Sequence, residues 1–155
     1  MIVLPQNKEE GMFMANWMAN LMGERLEAFG FNRHGEPLFQ CMGFSRNNEL
    51  VCVAMLYMQT TSGVMASFAA TTPRWASKEN VAEWGNWIFN QLGKDRVSAT
   101  ILKSNKRSRK FVEGIGFKVE GKVRKAINGQ DMIVYGMLKN EHEEWLKKAF
   151  KHGQR

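Results

Sequence analysis

The residue types best suited to chemistry are concentrated in residues 104–117, which read SNKRSRKFVEGIGF. The apolar run 96–102 predicts a strand that ends shortly before Asn105, and a short basic helix follows it. Ser108 and Phe111 follow Asn105 at intervals of three residues, so the three side chains share one side of that helix. The amide and the hydroxyl can hydrogen-bond a ligand or cap the helix, and the ring can pack on a ligand or join the core.

The same helix carries a cluster of positive charges. They contribute to a formal net charge of +7 at pH 7, which favours anionic partners. A cofactor phosphate and a nucleic-acid backbone both suit such a surface, and a solvated helix face is the alternative for each charge. The basic residues are Lys106, Arg107, Arg109 and Lys110.

Hydrophobic periodicity and turn residues predict the elements that must position these side chains. The 155 residues predict a single domain, spanning 1–155, with a core of its own. Gly23 is expected to divide the first helix, Ser77 to cap the second, and Asn128-Gly129 to form a tight hairpin turn. Helices are predicted over 8–29, 78–92, 106–114 and 140–151, and strands over 37–44, 49–60, 64–72, 96–102, 118–127 and 131–138.

The strand–helix–strand order within 64–102 predicts a parallel strand pair joined by a right-handed crossover. Strands that are joined by short turns are expected to be antiparallel. The expected fold class is therefore α/β, with a mixed and mostly antiparallel sheet, one parallel strand pair, and helices on both faces.

The cysteines and histidines form no reactive pattern. A hairpin around the loop 45–48 would set Cys41 directly across from Cys52, with Cβ atoms about 5 Å apart. Both are expected to be reduced packing residues, with a cross-strand disulfide as the minor alternative. The three histidines are scattered without metal-ligand spacing, and His142 on the last helix is expected to be solvated.

Location and assembly are indicated only broadly. The start, MIVLPQNKEE, has neither the basic region nor the long apolar run of a signal peptide, and no run reaches the ~20 apolar residues of a membrane span. A cytoplasmic location is therefore expected. Trp145 and Phe150 are expected to be exposed aromatics that can pack on this chain or on a second copy, so a monomer and a homodimer both remain open.

The order of the predicted elements is similar to that of the GNAT family, the acyl-CoA-dependent N-acetyltransferases. Within the family, the chain most resembles the ribosomal-protein N-terminal acetyltransferases, and small phage-encoded members are a weaker likeness. The matching residues span about forty positions and include the strand–helix–Gly-Phe segment described above. They are Asn105, Ser108, Gly116, Phe117, Gly121, Arg124, Asn128, Gly129, Asp131, Tyr135, Gly136, Met137, Leu138 and Glu141.

The resemblance implies the GNAT acyl-CoA N-acyltransferase fold, acetyl-CoA (coenzyme A) as cofactor and an amine as acceptor. The amine would be a protein N-terminus, a lysine or a small molecule. In the family, two parallel strands splay apart and leave backbone groups that the extended pantetheine arm can pair with. The residues that the resemblance assigns to the cofactor are Thr71, Thr72, Arg74, Ser77, Lys78, Asn105, Ser108 and Phe111.

The pyrophosphate loop departs from the family pattern. The segment 72–81 contains no glycine, and Glu79 and Val81 stand at the positions where the family has glycines. Helix N-termini nevertheless bind anions through free N–H groups whatever the side chains are, and Arg74 and Lys78 add positive charge there. The sequence thus favours weaker cofactor binding than in a member with the glycines intact.

The catalytic groups depart from the pattern as well. Val112 stands where many relatives have a Tyr acid, and the usual Glu base is absent from 64–72. Tyr135, Tyr57 and Glu113 are the candidate catalytic residues, and orientation alone can supply about 7–11 kcal/mol of the barrier. Two functions follow: an acetyl-CoA-dependent N-acetyltransferase, or a catalytically reduced GNAT-fold binding module whose basic surface binds nucleic acid or a partner protein.

Overall fold

Alternating apolar residues and well-placed turns give the chain seven strands and four α-helices within residues 1–151, which are the residues that the structure, a computed structural model, describes. Each predicted element is present, and the short β1 is an addition that the pattern did not indicate. The strands are β1 (Ile2–Val3), β2 (Phe39–Arg46), β3 (Glu49–Tyr57), β4 (Gly63–Ala70), β5 (Arg96–Leu102), β6 (Lys118–Ile127) and β7 (Gln130–Leu138). The helices are α1 (Lys8–Met22), α2 (Lys78–Asn86), α3 (Lys106–Gly114) and α4 (Lys139–Ala149), and a π-helical segment at Trp87–Gln91 continues α2.

The described residues fall into two compact units. The first comprises Met1–Thr60 and Met65–Asn80, and the second comprises Thr61–Val64 and residues 81–151. The strand order is β1-β2-β3-β4 in the first and β5-β7-β6 in the second, with antiparallel neighbours throughout each series. The sheet has one parallel pair, so the mixed α/β class predicted from the sequence is confirmed. A single domain over 1–155 stays a prediction.

Helix α1 covers the strands of the first unit with one apolar stripe. Asn7 caps its start by accepting a hydrogen bond from the Glu10 amide at 2.9 Å, and Gly23 ends it at a φ of 70°. The predicted division at Gly23 is therefore confirmed, because a residue without Cβ takes the left-handed conformation at no steric cost. The buried stripe is Met14, Ala15, Met18 and Ala19, which packs with Cys41, Val53 and Met55.

The hairpin of β2 and β3 differs from the expected one. Its turn is Asn47-Asn48, with φ of 54° and 64°, rather than the predicted loop 45–48. The strands therefore pair as far as Arg46 and Glu49, and a bulge after Phe44 shifts the register. Cys41 lies opposite Met55, and Cys52 lies opposite Phe44, so the predicted Cys41–Cys52 pair is wrong. Both cysteines are free and buried, as expected of packing residues.

The core of the second unit includes two side chains, one on α4 and one just after it, that were expected in solvent. His142 is buried, with 3% of its surface exposed, and Phe150 is buried too, so both expectations are wrong. The imidazole stacks on the rings of Phe89 and Trp145, with centroids 5.3 and 5.8 Å away. It fits because Gly85 on α2 has no side chain where the imidazole lies.

Within residues 1–151 no helix is long and apolar enough to cross a membrane. The same part of the chain holds no group of three or more His, Cys, Asp or Glu side chains placed to hold a metal ion. His152 lies outside the described residues.

Candidate functional site

A buried tryptophan, rather than glycines, shapes the loop between β4 and α2. The Trp75 ring packs against Phe44 and Phe68, with centroid distances of 5.0 and 5.2 Å. Around it, Pro73–Trp75 forms one turn of 3₁₀-helix, and the Thr72 hydroxyl accepts a hydrogen bond from the Arg74 amide at 3.3 Å. The sequence pattern did not single out Trp75, although a tryptophan in a polar loop is a signal for an anchor.

The start of α2 presents cations and backbone donors. Ser77 Oγ accepts from the Asn80 amide at 3.1 Å, which confirms the predicted cap. The Asn80 side chain donates to the Trp75 carbonyl at 2.6 Å and so ties the helix to the anchored loop. Arg74 and Lys78 are exposed beside this helix start. Cations next to first-turn N–H groups are a donor set that fits a phosphate, although the exposed Glu79 opposes it.

Thr71 and Tyr57 make structural contacts in the first unit. The amide and the hydroxyl of Thr71 both donate to the Val51 carbonyl, at 2.9 and 3.4 Å, and so extend the β3–β4 pairing. The Tyr57 hydroxyl lies 3.1 Å from Ser67 Oγ, and its ring packs edge-on against Phe29. Tyr57 also borders a cleft of about 570 Å³ that is lined mainly by apolar side chains of the same unit.

The predicted polar pair of α3 is brought together at the start of that helix. Asn105 Oδ1 accepts a hydrogen bond from the Ser108 amide at 3.2 Å, and the Asn105 carbonyl accepts from the Arg109 amide at 3.1 Å. Asn105 is therefore the helix cap, which was one of its two predicted roles. The cap uses only the side-chain oxygen, so the two N–H donors of the amide group are not consumed by it.

A buried tyrosine links α3 to β7. The Tyr135 hydroxyl donates to Glu113 Oε2 at 2.6 Å and accepts from Arg109 Nε at 3.1 Å. Arg109 also donates through Nη1 to the Lys103 carbonyl at 2.9 Å. Desolvation first, and then the hydrogen bond to Glu113, raise the pKa of the Tyr135 phenol, so the phenol is neutral at physiological pH. The hydrogen bond to Tyr135 in turn raises the pKa of Arg109.

Burial limits which of the candidate catalytic positions can touch a bound molecule. Tyr135 is 0% exposed, so it contacts its neighbours rather than a bound molecule. Val112 is also buried, so the position of the family's acid is part of the core. Two catalytic candidates, Tyr135 and Glu113, thus meet in one network. Arg109, which completes that network, was missing from the predicted site residues, although its spacing of four from Glu113 is a recognisable signal.

Solved structures of acetyltransferases share this fold. A T. thermophilus protein named as an acetyltransferase, without a stated substrate, is 22% identical, with a TM-score of 0.65 over 80% of this chain and 69% of that one. A second protein so named is 21% identical, with a TM-score of 0.65 over 83% and 71%. A mutant form of the spermidine N-acetyltransferase SpeG from Vibrio cholerae is 13% identical, with a TM-score of 0.68 over 96% and 99%.

These similarities confirm the predicted GNAT fold. The sequence matches no protein-family model and no curated protein. The closer likeness to ribosomal-protein N-terminal acetyltransferases stays a prediction, as do the roles of the individual site residues.

Proposed function

We propose that this chain is an acetyl-CoA-dependent N-acetyltransferase that transfers the acetyl group directly to an amine. The observation that carries the proposal is the shared fold, which extends over 80–96% of the chain in the acetyltransferases described above. Fold alone does not fix function, so the local chemistry must agree with it. The acceptor class stays open among a polyamine, a lysine side chain and a protein N-terminus.

The donor sets in the two units suit different parts of the cofactor. In the first unit, Arg74, Lys78 and the backbone N–H groups of α2 would hold its phosphates. In the second, Asn105 and Ser108 would hydrogen-bond the amide groups of its pantetheine arm, and the half-buried Phe111 would pack against the arm. Thr71, Thr72 and Ser77 already make backbone hydrogen bonds, so we expect them to shape the loop and contribute less to affinity.

The chain's own contribution to the chemistry is chiefly binding and orientation. When bound, acetyl-CoA supplies a thioester: the amine nitrogen bonds to its carbonyl carbon, the carbon–sulfur bond breaks, and a proton from the amine ends on the sulfur. Tyr135 is enclosed, and its proton is committed to Glu113, so neither side chain is arranged to act as the acid. Water then carries the proton, and a slow enzyme is expected whose rate rests on orientation.

Calorimetric titration with acetyl-CoA tests this proposal. Asn105→Ser keeps a hydroxyl that can cap α3 and removes the amide donors, so it separates cofactor binding from capping. We expect its dissociation constant for acetyl-CoA to rise about tenfold, the cost of one good hydrogen bond, with little change in melting temperature. Asn140→Ser, at an exposed position on α4, is the matched control and should bind like the wild type.

Thiol release from acetyl-CoA then identifies the acceptor class. It is measured with three amines: spermidine, a lysine peptide blocked at its N-terminus, and a lysine-free peptide with a free N-terminus. Absence of binding at millimolar acetyl-CoA would overturn the proposal. Micromolar binding without turnover on any amine would favour the catalytically reduced binding module.

A further inference from the structure

Arg109 makes three hydrogen bonds that bracket the start of α3. Its amide donates to the Asn105 carbonyl at 3.1 Å, its Nη1 to the Lys103 carbonyl at 2.9 Å, and its Nε to the Tyr135 hydroxyl at 3.1 Å. The first two fix the chain on both sides of the corner between β5 and α3. The third fixes that corner to β7, because Tyr135 lies in the middle of that strand, opposite Ala99 of β5.

The direction of each bond in this network is determined. A guanidinium has only donors, and a neutral phenol has one proton. The Tyr135 proton goes to Glu113 at 2.6 Å, which leaves the lone pairs of the phenol oxygen to accept from Arg109. Glu113 therefore sets the orientation of Tyr135, and Tyr135 sets the position of the Arg109 fork. Charge-assisted bonds of this kind are about twice as strong as neutral ones.

The residues that the network encloses are the two polar candidates of α3. Asn105 and Ser108 lie between Lys103 and Arg109 in the chain and are themselves joined by the 3.2 Å cap bond. Holding the corner in one position would set the direction of their side chains. Sites with preorganised side chains bind more tightly, since less conformational freedom is lost on binding.

We propose that Arg109 is a positioning residue: anchored on Tyr135, it holds the first turn of α3 so that Asn105 and Ser108 are aligned for the acyl-CoA arm. This inference rests on the proposed function. The inference also changes the role of Tyr135: it is no longer a candidate catalytic residue, and its hydroxyl is instead the fixed acceptor that holds Arg109 in place.

Two substitutions test the network at different points. Tyr135→Phe removes only the hydroxyl oxygen and keeps the buried ring. Arg109→Lys keeps the positive charge, but a single ammonium replaces the planar fork that reaches two acceptors. Lys148→Gln, at an exposed position on α4, is the control for a surface substitution in the same unit that leaves the network intact.

Amide hydrogen exchange at Ser108 and Arg109 without ligand tests the anchoring itself. We expect about tenfold faster exchange in both network variants and no change in Lys148→Gln. Unchanged exchange in both network variants would overturn the proposal.

Calorimetry with coenzyme A and steady-state kinetics test the link to binding. We expect the dissociation constant and the KM for acetyl-CoA to rise several-fold in both network variants, with kcat little changed. A lower melting temperature with unaltered affinity and KM would mean that the network only stabilises the fold, and would overturn the proposal. If the wild type itself binds no coenzyme A, the proposed function fails instead, and the exchange measurement still decides whether the anchor exists.

Discussion

The imidazole of His142 fills the space beside Gly85 in which any other residue would carry its Cβ. Both residues belong to the second unit, and the imidazole stacks on the rings of Phe89 and Trp145. The absence of a side chain at Gly85 therefore lets α4 place a polar ring in the core next to α2.

Gly85→Ala should destabilise the protein by about 3 kcal/mol, because the added methyl group would overlap a buried ring that is stacked against two aromatic side chains. This reverses the usual effect of the substitution within a helix, which is a gain of up to about 1 kcal/mol. Chemical denaturation of the two proteins measures the difference. Gly114→Ala is the control, since a Cβ at that helical position meets nothing within 4 Å. Equal effects of the two substitutions would contradict the close contact with His142.

The regular parts of this fold could be predicted from the sequence because they depend on local patterns. The helix end at Gly23, the cap at Ser77 and the Asn128-Gly129 turn each follow from spacing and residue type. The position of His142 could not be predicted, since it depends on a glycine more than fifty residues away in the chain. The contact of Arg109 with Tyr135 could not be predicted for the same reason. The sequence places Arg109 on a helix, and only the pairing of β5 with β7 brings Tyr135 close to it.

The cysteine register was wrong for a related reason. A two-residue turn and a bulge displaced the expected pairing, and a shift of this size is set by backbone geometry that composition does not reveal.

The two cysteines should resist both alkylation and oxidation in the native protein. Burial raises the pKa of Cys41 to about 12 and raises that of Cys52 as well, so almost no thiolate is present at pH 8. We expect reaction with a disulfide reagent such as Ellman's to be at least about a hundredfold slower in the native state than in guanidinium. Rapid native labelling, or an internally oxidised form after exposure to diamide, would contradict this packing.

Glu141 should make stability depend on pH in the acid range. The hydrogen bond from Lys118, followed by that from the Leu138 amide, lowers the pKa of this carboxyl below its ordinary 4.5. A lowered pKa means that the stabilisation is complete above the ordinary value and is lost as the pH falls through the folded value. Glu141→Gln should therefore lower stability by about 1 kcal/mol at pH 7, and the difference should shrink as the pH is lowered to 3.

Thermal melts at the two pH values check the expectation for Glu141. Glu143→Gln, an exposed position on the same helix, is the control and should show little difference at either pH. A Glu141→Gln effect that persists undiminished at pH 3 would show that packing, rather than charge, is responsible.

The turn between β6 and β7 should depend on Gly129. Asn128 and Gly129 both have positive φ, of 48° and 78°, the combination that matches the twist of a two-residue hairpin. Gly129→Ala should cost about 1–2 kcal/mol, because a Cβ is strained in the left-handed region even though nothing lies within 4 Å of it.

Gly121→Ala on β6 is the matched control: its surroundings are equally open and its φ is not in that region. Denaturation midpoints should fall for Gly129→Ala alone, and the amides of the hairpin should lose protection first, since strain at the turn acts on the strands that it joins. If the midpoints of both variants fell by a similar amount, the loss of stability would come from adding a methyl group to the hairpin. The backbone conformation at Gly129 would then not be its cause.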